Sequence, residues 1–251
     1  MVELRELLQY TNNLLEVERF ADYAPNGLQV EGRSKLTKIV SGVTASLELV
    51  NAAVEAGADA LLVHHGYFWK GENACITGMK RRRLQTLLRH DLSLIAYHLP
   101  LDAHPLYGNN AMLGQLLGIE YIATFGPSNP PLVMRGKFSQ AITADELSAL
   151  LNTKLGRAPL HIAGGDQKIS TVAWCSGGAQ GYLETAALEG VDAYISGEAS
   201  EQTTHVAREM GVHYFAAGHH ATERYGVGAL GMHLCTKFDL KHQFIDMNNP
   251  V

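Results

Sequence analysis

The sequence predicts an α/β fold of two similar βαβ-containing lobes, with mixed or parallel sheets and helices on their faces. Three observations carry this. Apolar strands alternate with alanine-rich helical stretches, the pattern of parallel βαβ units. The run "IVSGVTASLELVNAAVEAGADALLVHHG" (residues 39–66) returns as "VAWCSGGAQGYLETAALEGVDAYISGEA" (172–199), each a strand, a small polar loop, a helix, a glycine and an aspartate-led strand. Each half also has a short strand leaving a histidine with a carboxylate four positions on: His98 with Asp102 in "IAYHLPLDAH", and His219 with Glu223 in "FAAGHHATER". Two such coincidences in the same order point to an internal duplication. The lobes are placed at residues 1–125 and 126–251, with the C-terminal segment packing back on the first.

The elements follow in order. Leu4, Leu7, Leu8, Leu14 and Leu15 recur at roughly helical spacing within residues 2–16. Pro25-Asn26-Gly27 is a turn signal. "KIVSGVTAS" reads as a buried strand, "LELVNAAVEAGA" as a helix ended by Gly57, and "DALLVHHG" as a second strand. Residues 80–90 make another helix, and "LSLIAYHLPLDAH" a third strand that breaks at Pro100. The segment 125–136, dense in Pro and Gly, is the expected lobe boundary. Thr143 and Glu146 match a capping box at the start of a helix that Gly156 stops.

Composition narrows the function classes. A chain of 251 residues with 46% hydrophobic and 18% charged residues is globular and long enough for a sizeable core. A net charge of −5 argues against a dominant nucleic-acid footprint. Three cysteines without short paired spacing indicate a reducing compartment. No run is long enough to cross a bilayer, and the first residues lack a secretory pattern. A cytoplasmic location is the expectation.

The chemistry sits at the strand ends. His64 and His65 close the strand "ALLV", at the carboxyl edge where open parallel sheets bind ligands. Neighbouring side chains on a strand point apart, so the pair reaches one metal only if the chain turns at Gly66; otherwise it serves two nearby metals. Glu223 lies one helical turn after His219 if residues 219–226 are helical, which puts both on one face. Imidazole and carboxylate together suit Zn, Mn or Fe. His64, His65, Asp102, His219 and Glu223 give five candidate ligands. That is more than a closed structural zinc needs, and it suits two divalent metals in a dinuclear site between the lobes. His98 and His220 are placed to support the ligands or relay protons, and Glu198 to act as an acid or base. A carboxylate at a helix N-terminus is the competing reading of Glu198.

"DYAPNGLQVEG", "VHHGYFWKG", "HLPLDAH", "SGEASEQ" and "AAGHHATER" resemble the signatures of the GTP cyclohydrolase I type 2 homologues, the Ngg-interacting-factor-three-like dinuclear metal proteins. The resemblance runs over nearly the whole chain and matches the form without a mid-chain inserted domain. It implies a two-lobed α/β fold, a ring-shaped homohexamer, and metal ligands at the same five positions. The reading it supports is a metal-dependent hydrolase of a nucleotide-like or phosphorylated heterocyclic substrate, by ring hydrolysis or phosphoester cleavage. The alternative is a non-enzymatic metal-binding ring that binds a partner protein or nucleic acid, or handles metal.

Other features are secondary. Arg81 to Arg83 suit phosphate but read first as a solvated helix face. Tyr67, Phe68 and Trp69 are expected to bury against a neighbouring subunit, with base stacking as the other option. The glycines of "CSGGAQG" are of the kind that let backbone amides approach a phosphate.

Overall fold

The computed structural model describes residues 1–251. They divide into two compact units, Met1–Gly108 with Gly226–Asn248, and Asn109–Tyr225 with Asn249–Val251.

The first unit begins with β1 (Val2–Glu3), α1 (Leu4–Leu14), β2 (Gly27–Val30), β3 (Lys35–Leu36) and β4 (Lys38–Thr44). It continues through α2 (Leu47–Glu55), β5 (Ala60–His65), α3 (Gly78–Arg89), β6 (Ser93–Ala96) and α4 (Leu99–Ala103). With the last strand of the chain, β13 (Lys241–Phe244), the sheet order is β13-β4-β5-β6-β2. All neighbours are parallel except β2, which is antiparallel to β6. Alternate residues feed opposite layers, as the pleat requires. Ile39, Leu62 and Ile95 pack in one cluster with Leu4 and Leu7 of α1, while Val40, Leu61, Val63 and Leu94 pack in another with Leu49 of α2 and Leu87 of α3.

The second unit holds α5 (Asn109–Leu116), β7 (Glu120–Phe125), β8 (Val133–Ile142), α6 (Ala144–Leu155), β9 (Leu160–Ile162) and β10 (Ile169–Trp174). After these come α7 (Leu183–Leu188), β11 (Ala193–Ser196), α8 (Glu201–Met210), β12 (His213–Ala216) and the start of α9 (His219–Phe238), whose residues from Gly226 on belong to the first unit. The sheet order is β7-β8-β10-β11-β12-β9, with β10, β11 and β12 parallel and the outer strands antiparallel. Its core is one cluster around Trp174, Ile195, Phe215 and Leu151. The capping box at Thr143 and Glu146 is present, and Gly156 ends α6 at φ +72°.

Two expectations are revised. The segment 125–136 is no lobe boundary: it turns β7 into its antiparallel partner β8 inside the second unit, and the chain passes between units at Gly108/Asn109 and returns to the first at Gly226. Pro and Gly density marks a tight hairpin as readily as a linker. The third strand stops at Ala96, and Pro100 lies in the first turn of α4, where its missing N–H costs nothing.

One device occurs in each unit. Asp59, just before β5, accepts from the Thr37 N–H (2.7 Å), the Thr37 hydroxyl (2.7 Å) and the Lys38 N–H (3.0 Å). Asp192, just before β11, accepts from the Ser170 N–H (2.9 Å), the Thr171 N–H (2.8 Å) and the Thr171 hydroxyl (2.9 Å). Each carboxylate ties the start of one parallel strand to the start of the next. Burial pushes the Asp59 carboxyl up, but the Thr37 and Lys38 hydrogen bonds and Arg33 outweigh it and hold it below its ordinary value. A depressed carboxylate stabilises the fold above its unfolded value near 3.8 and loses that effect as pH falls through the folded one. We expect Asp59→Ala to lower the urea unfolding free energy by about 2–3 kcal/mol at pH 7, because several donors lose one acceptor. The deficit should shrink as the wild-type carboxyl is protonated below pH 3.8. An undiminished deficit at low pH would contradict this assignment.

Candidate metal centre

In the first unit, the carboxyl ends of the parallel strands gather histidines. β5 runs through His65, so no turn at Gly66 is needed to bring the pair together: the His64 and His65 rings lie 4.5 Å apart, centroid to centroid. Gly66 is required for another reason, since a Cβ there would stand 2.7 Å from the Cβ of Ala96 on the neighbouring strand. His98 follows β6, its ring 5.1 Å from His64 and 5.7 Å from His65. One possible ligand atom from each of His64, His65 and His98 lies within 4.8 Å of the others. Asp102, buried in α4, brings Oδ1 to 3.5 Å from His64 Nε2.

The orientation of each ring is set by its other nitrogen. His64 Nδ1 is 2.9 Å from the Tyr97 carbonyl oxygen. A carbonyl only accepts, so Nδ1 carries the proton and Nε2 the lone pair. His98 Nδ1 meets Asp22 Oδ1 at 2.7 Å by the same logic. His65 Nδ1 lies 3.1 Å from the Thr44 hydroxyl at the end of β4. Burial pushes the Asp22 carboxyl up, but the hydrogen bond and charge of His98, with Asn26 and the Tyr23 N–H, outweigh it and bring it to about 2.

The second unit gathers its own set in the same way. α9 begins at His219, directly after the loop from β12, so the i,i+4 spacing places His219 Nε2 3.2 Å from Glu223 Oε2. His219 Nδ1 is 2.6 Å from Glu198 Oε1. Glu198 is therefore a partner of His219 and not a helix N-terminal carboxylate, for α8 starts at Glu201 with Ser200 as its cap. His220 is buried with its backbone N–H on the Val251 carbonyl oxygen, and it joins none of the metal-capable groups. In the "CSGGAQG" loop, Gly177 has φ +66°, and a Cβ there would stand 2.1 Å from Glu223 Oε1 and 3.1 Å from His219 Nε2. Its glycine leaves room for these side chains. Its N–H is donated to the Thr222 hydroxyl, which leaves it unsuited to a phosphate.

The aromatic run divides. Tyr67 is a core residue, 4% exposed, with its hydroxyl on the Ala45 carbonyl oxygen. A subunit interface is not what buries it. Phe68 and Trp69 are more open, and Trp69 stands edge-to-face against His98 at 5.0 Å. Arg83 lies over the Tyr67 ring and Lys80 over Phe68, while Arg81 and Arg82 are exposed on α3.

This donor chemistry fits a divalent metal. Two ligands on one ion bound at about 2.0–2.2 Å stand roughly 3–4 Å apart. His64 with Asp102 (3.5 Å) and His219 with Glu223 (3.2 Å) lie in that range. Each histidine also has the outer hydrogen-bond partner usual for a metal-binding imidazole. Asp22, Tyr97, Thr44 and Gly177 were not singled out from sequence as parts of the site. Two signals were present: the turn "DYAPNG", which shows a turn and not its distant partner, and the glycines of "CSGGAQG", which read as a phosphate loop and instead leave room for His219 and Glu223.

His219 responds to pH in the metal-free chain. Burial pulls its pKa down, but hydrogen bonds and charges of Glu223 and Glu198 outweigh burial and raise it from 6.5 to about 9. A raised value means that the protonated ring stabilises the fold fully below pH 6.5, and that the effect is lost as pH rises through about 9. We expect the melting temperature of chelator-treated protein to fall over this interval relative to His219→Gln. A difference between the two that stays constant with pH would contradict it.

Comparison with known proteins adds the family context. A family model described as Duf34/NIF3 (NGG1p interacting factor 3) matches residues 2–250. A Pseudomonas aeruginosa protein named GTP cyclohydrolase 1 type 2 homolog is 54% identical over 99% of both chains. A protein of the same name from Escherichia coli K12 is 52% identical over 98% of both. The solved structure of a protein called ybgI superposes with a TM-score of 0.96 at 51% identity, covering 100% of both chains. That of TTHA1606 from Thermus thermophilus does so at 0.90 and 33%, again over 100% of both. No helix is long and apolar enough to cross a membrane.

Proposed function

Because this chain belongs to the Duf34/NIF3 family, we propose that it is a dinuclear-metal-dependent hydrolase of a nucleotide-like or phosphorylated heterocyclic substrate. The observation that carries the reading is the fixing of the histidines. His64, His98 and His219 each give Nδ1 to an acceptor in their own unit, which turns Nε2 toward a ligand. His64, His65 and Asp102 would hold metal from the first unit, and His219 and Glu223 from the second. The proposal is that these donors share two divalent ions, Zn, Mn or Fe, in one site. The ions would supply a hydroxide nucleophile near neutral pH and polarise the bond under attack.

The residues of the chain would do the rest. Tyr97, Thr44 and Glu198 hold the imidazoles in their binding orientation. Glu198 also offsets the charge on His219 before metal is bound. Of the two candidate proton-handling histidines, His98 is the one grouped with His64 and His65. Trp69 offers an apolar wall at His98 for a planar heterocycle. The substrate class draws on the names of the relatives, and ring hydrolysis and phosphoester cleavage both fit it. The matching aspartate devices, Asp59 and Asp192, support the further reading that the two units descend from one duplicated βαβ segment. A hexameric ring and a cytoplasmic location are part of the proposal.

The test combines metal analysis with a substrate panel. Protein purified without chelator should hold near two ions per chain, and His64→Ala and His219→Ala should each lose much of that metal. Metal-defined wild type should hydrolyse GTP or a phosphoester in the panel. Both variants should fall by at least the roughly 10–100-fold typical of losing even an outer partner. Full metal occupancy in both variants, or wild type inert to every substrate, would overturn the reading.

A further inference from the structure

We propose that Asp22 is a positioning residue for His98, holding the ring so that Nε2, with its lone pair, is presented beside His64 and His65. The role given to that lone pair rests on the hydrolase reading above; the positioning rests on the geometry of the first unit.

Asp22 reaches across 76 residues of sequence to His98 and uses both oxygens. Oδ1 takes the Nδ1–H of His98 at 2.7 Å, and Oδ2 accepts the Leu99 N–H at 2.9 Å and the Asn26 amide at 2.8 Å. Asn26 completes the clamp, its Oδ1 accepting the His98 N–H at 2.7 Å. The clamped residue needs holding, because it belongs to neither β6 nor α4 and has φ −99° and ψ −107°, outside the regular conformations. The carboxylate is the more deeply buried partner, with 3% of its side chain exposed against 17% for His98.

A carboxylate only accepts, so in the neutral ring the bond selects one tautomer, with the proton on Nδ1 and the lone pair on Nε2. Trp69, tied by its indole N–H to the Gly66 carbonyl oxygen at 3.2 Å, stands edge-to-face against the ring at 84°. The ring thus has Asp22 on one nitrogen, Trp69 against it and the His64–His65 pair near it. An unprotonated Nε2 there accepts a hydrogen bond from the attacking water and turns the oxygen lone pair toward the substrate. The opposite tautomer would present an N–H and orient the water the wrong way.

The decisive variant is Asp22→Asn. Oδ1 also accepts the Tyr23 N–H at 2.6 Å, so the variant amide has two rotamers. With its oxygen kept on the Leu99 N–H and the Asn26 amide, its NH2 group faces His98 and moves the proton to Nε2, whereas the opposite rotamer leaves Nδ1–H in place. Long-range proton–nitrogen correlation spectra of histidine-labelled protein report the tautomer directly. We expect Nδ1–H on His98 in the wild type and in Asp22→Glu, and Nε2–H in Asp22→Asn. Metal content should not change. With bis(p-nitrophenyl) phosphate as probe, kcat should fall about 10–100-fold in Asp22→Asn with little change in KM, and Asp22→Glu should recover part of it. Should circular dichroism show Asp22→Asn unfolded, His98→Gln provides the second arm, with the same kcat loss expected while Asp22 stays in place. A wild-type His98 protonated on Nε2, or a flipped tautomer with kcat unchanged, would overturn the proposal. A wild type that hydrolyses nothing would sink the hydrolase reading alone, and the tautomer spectra would still decide the role of Asp22.

Discussion

The hydrogen bond from His64 Nδ1 to the Tyr97 carbonyl oxygen is the kind of constraint on which the chemistry of this chain depends. An imidazole can turn either nitrogen to a ligand, and a loosely held ring would populate both arrangements. Here the backbone of the neighbouring strand end decides for His64. Asp22 decides for His98, and Glu198 decides for His219. Each acceptor lies within the same compact unit as its histidine, so the orientation is set by local folding before any ligand arrives. Ordering the rings in advance lowers the entropy lost when a metal or substrate binds.

The sheets make this possible. Parallel strands deliver their carboxyl ends to one edge, where loops can present polar groups without breaking the ladder. In the first unit, Thr44, His65 and His98 lie at or just beyond the ends of β4, β5 and β6. In the second, Gly177, Glu198 and His219 follow β10, β11 and β12 in the same way. Asp59 and Asp192 hold the opposite ends of the strands in register. Glycine acts where packing leaves no space: at Gly197 a Cβ would stand 2.6 Å from the Gly177 carbonyl oxygen and from the Cα of His219.

Much of this was legible in the sequence, for definite reasons. Apolar strands followed by alanine-rich helices announce βαβ units, and the spacing from His219 to Glu223 sets one helical face. The capping box at Thr143 is local chemistry and reads directly. What escaped the sequence depends on distance or on a residue with two meanings. Asp22 finds His98 only through the fold. Tyr67 follows the histidine pair like a surface aromatic, yet its hydroxyl has a buried carbonyl partner in Ala45. The Pro- and Gly-rich segment near residue 130 makes a hairpin turn, and residue identity alone does not distinguish that from a linker. Glu198 sits close to a helix start but is drawn to the nearer imidazole.

The central claim is that oriented Nε2 atoms from both units hold metal. Anomalous diffraction from crystals of metal-loaded protein, collected at the absorption edge of the bound ion, tests it most directly. The account predicts two peaks per chain, about 2.0–2.2 Å from imidazole nitrogens, with Nε2 of His64 and of His219 among the donors. Peaks bound through Nδ1, or ions held by residues other than these histidines and their carboxylate neighbours, would contradict it.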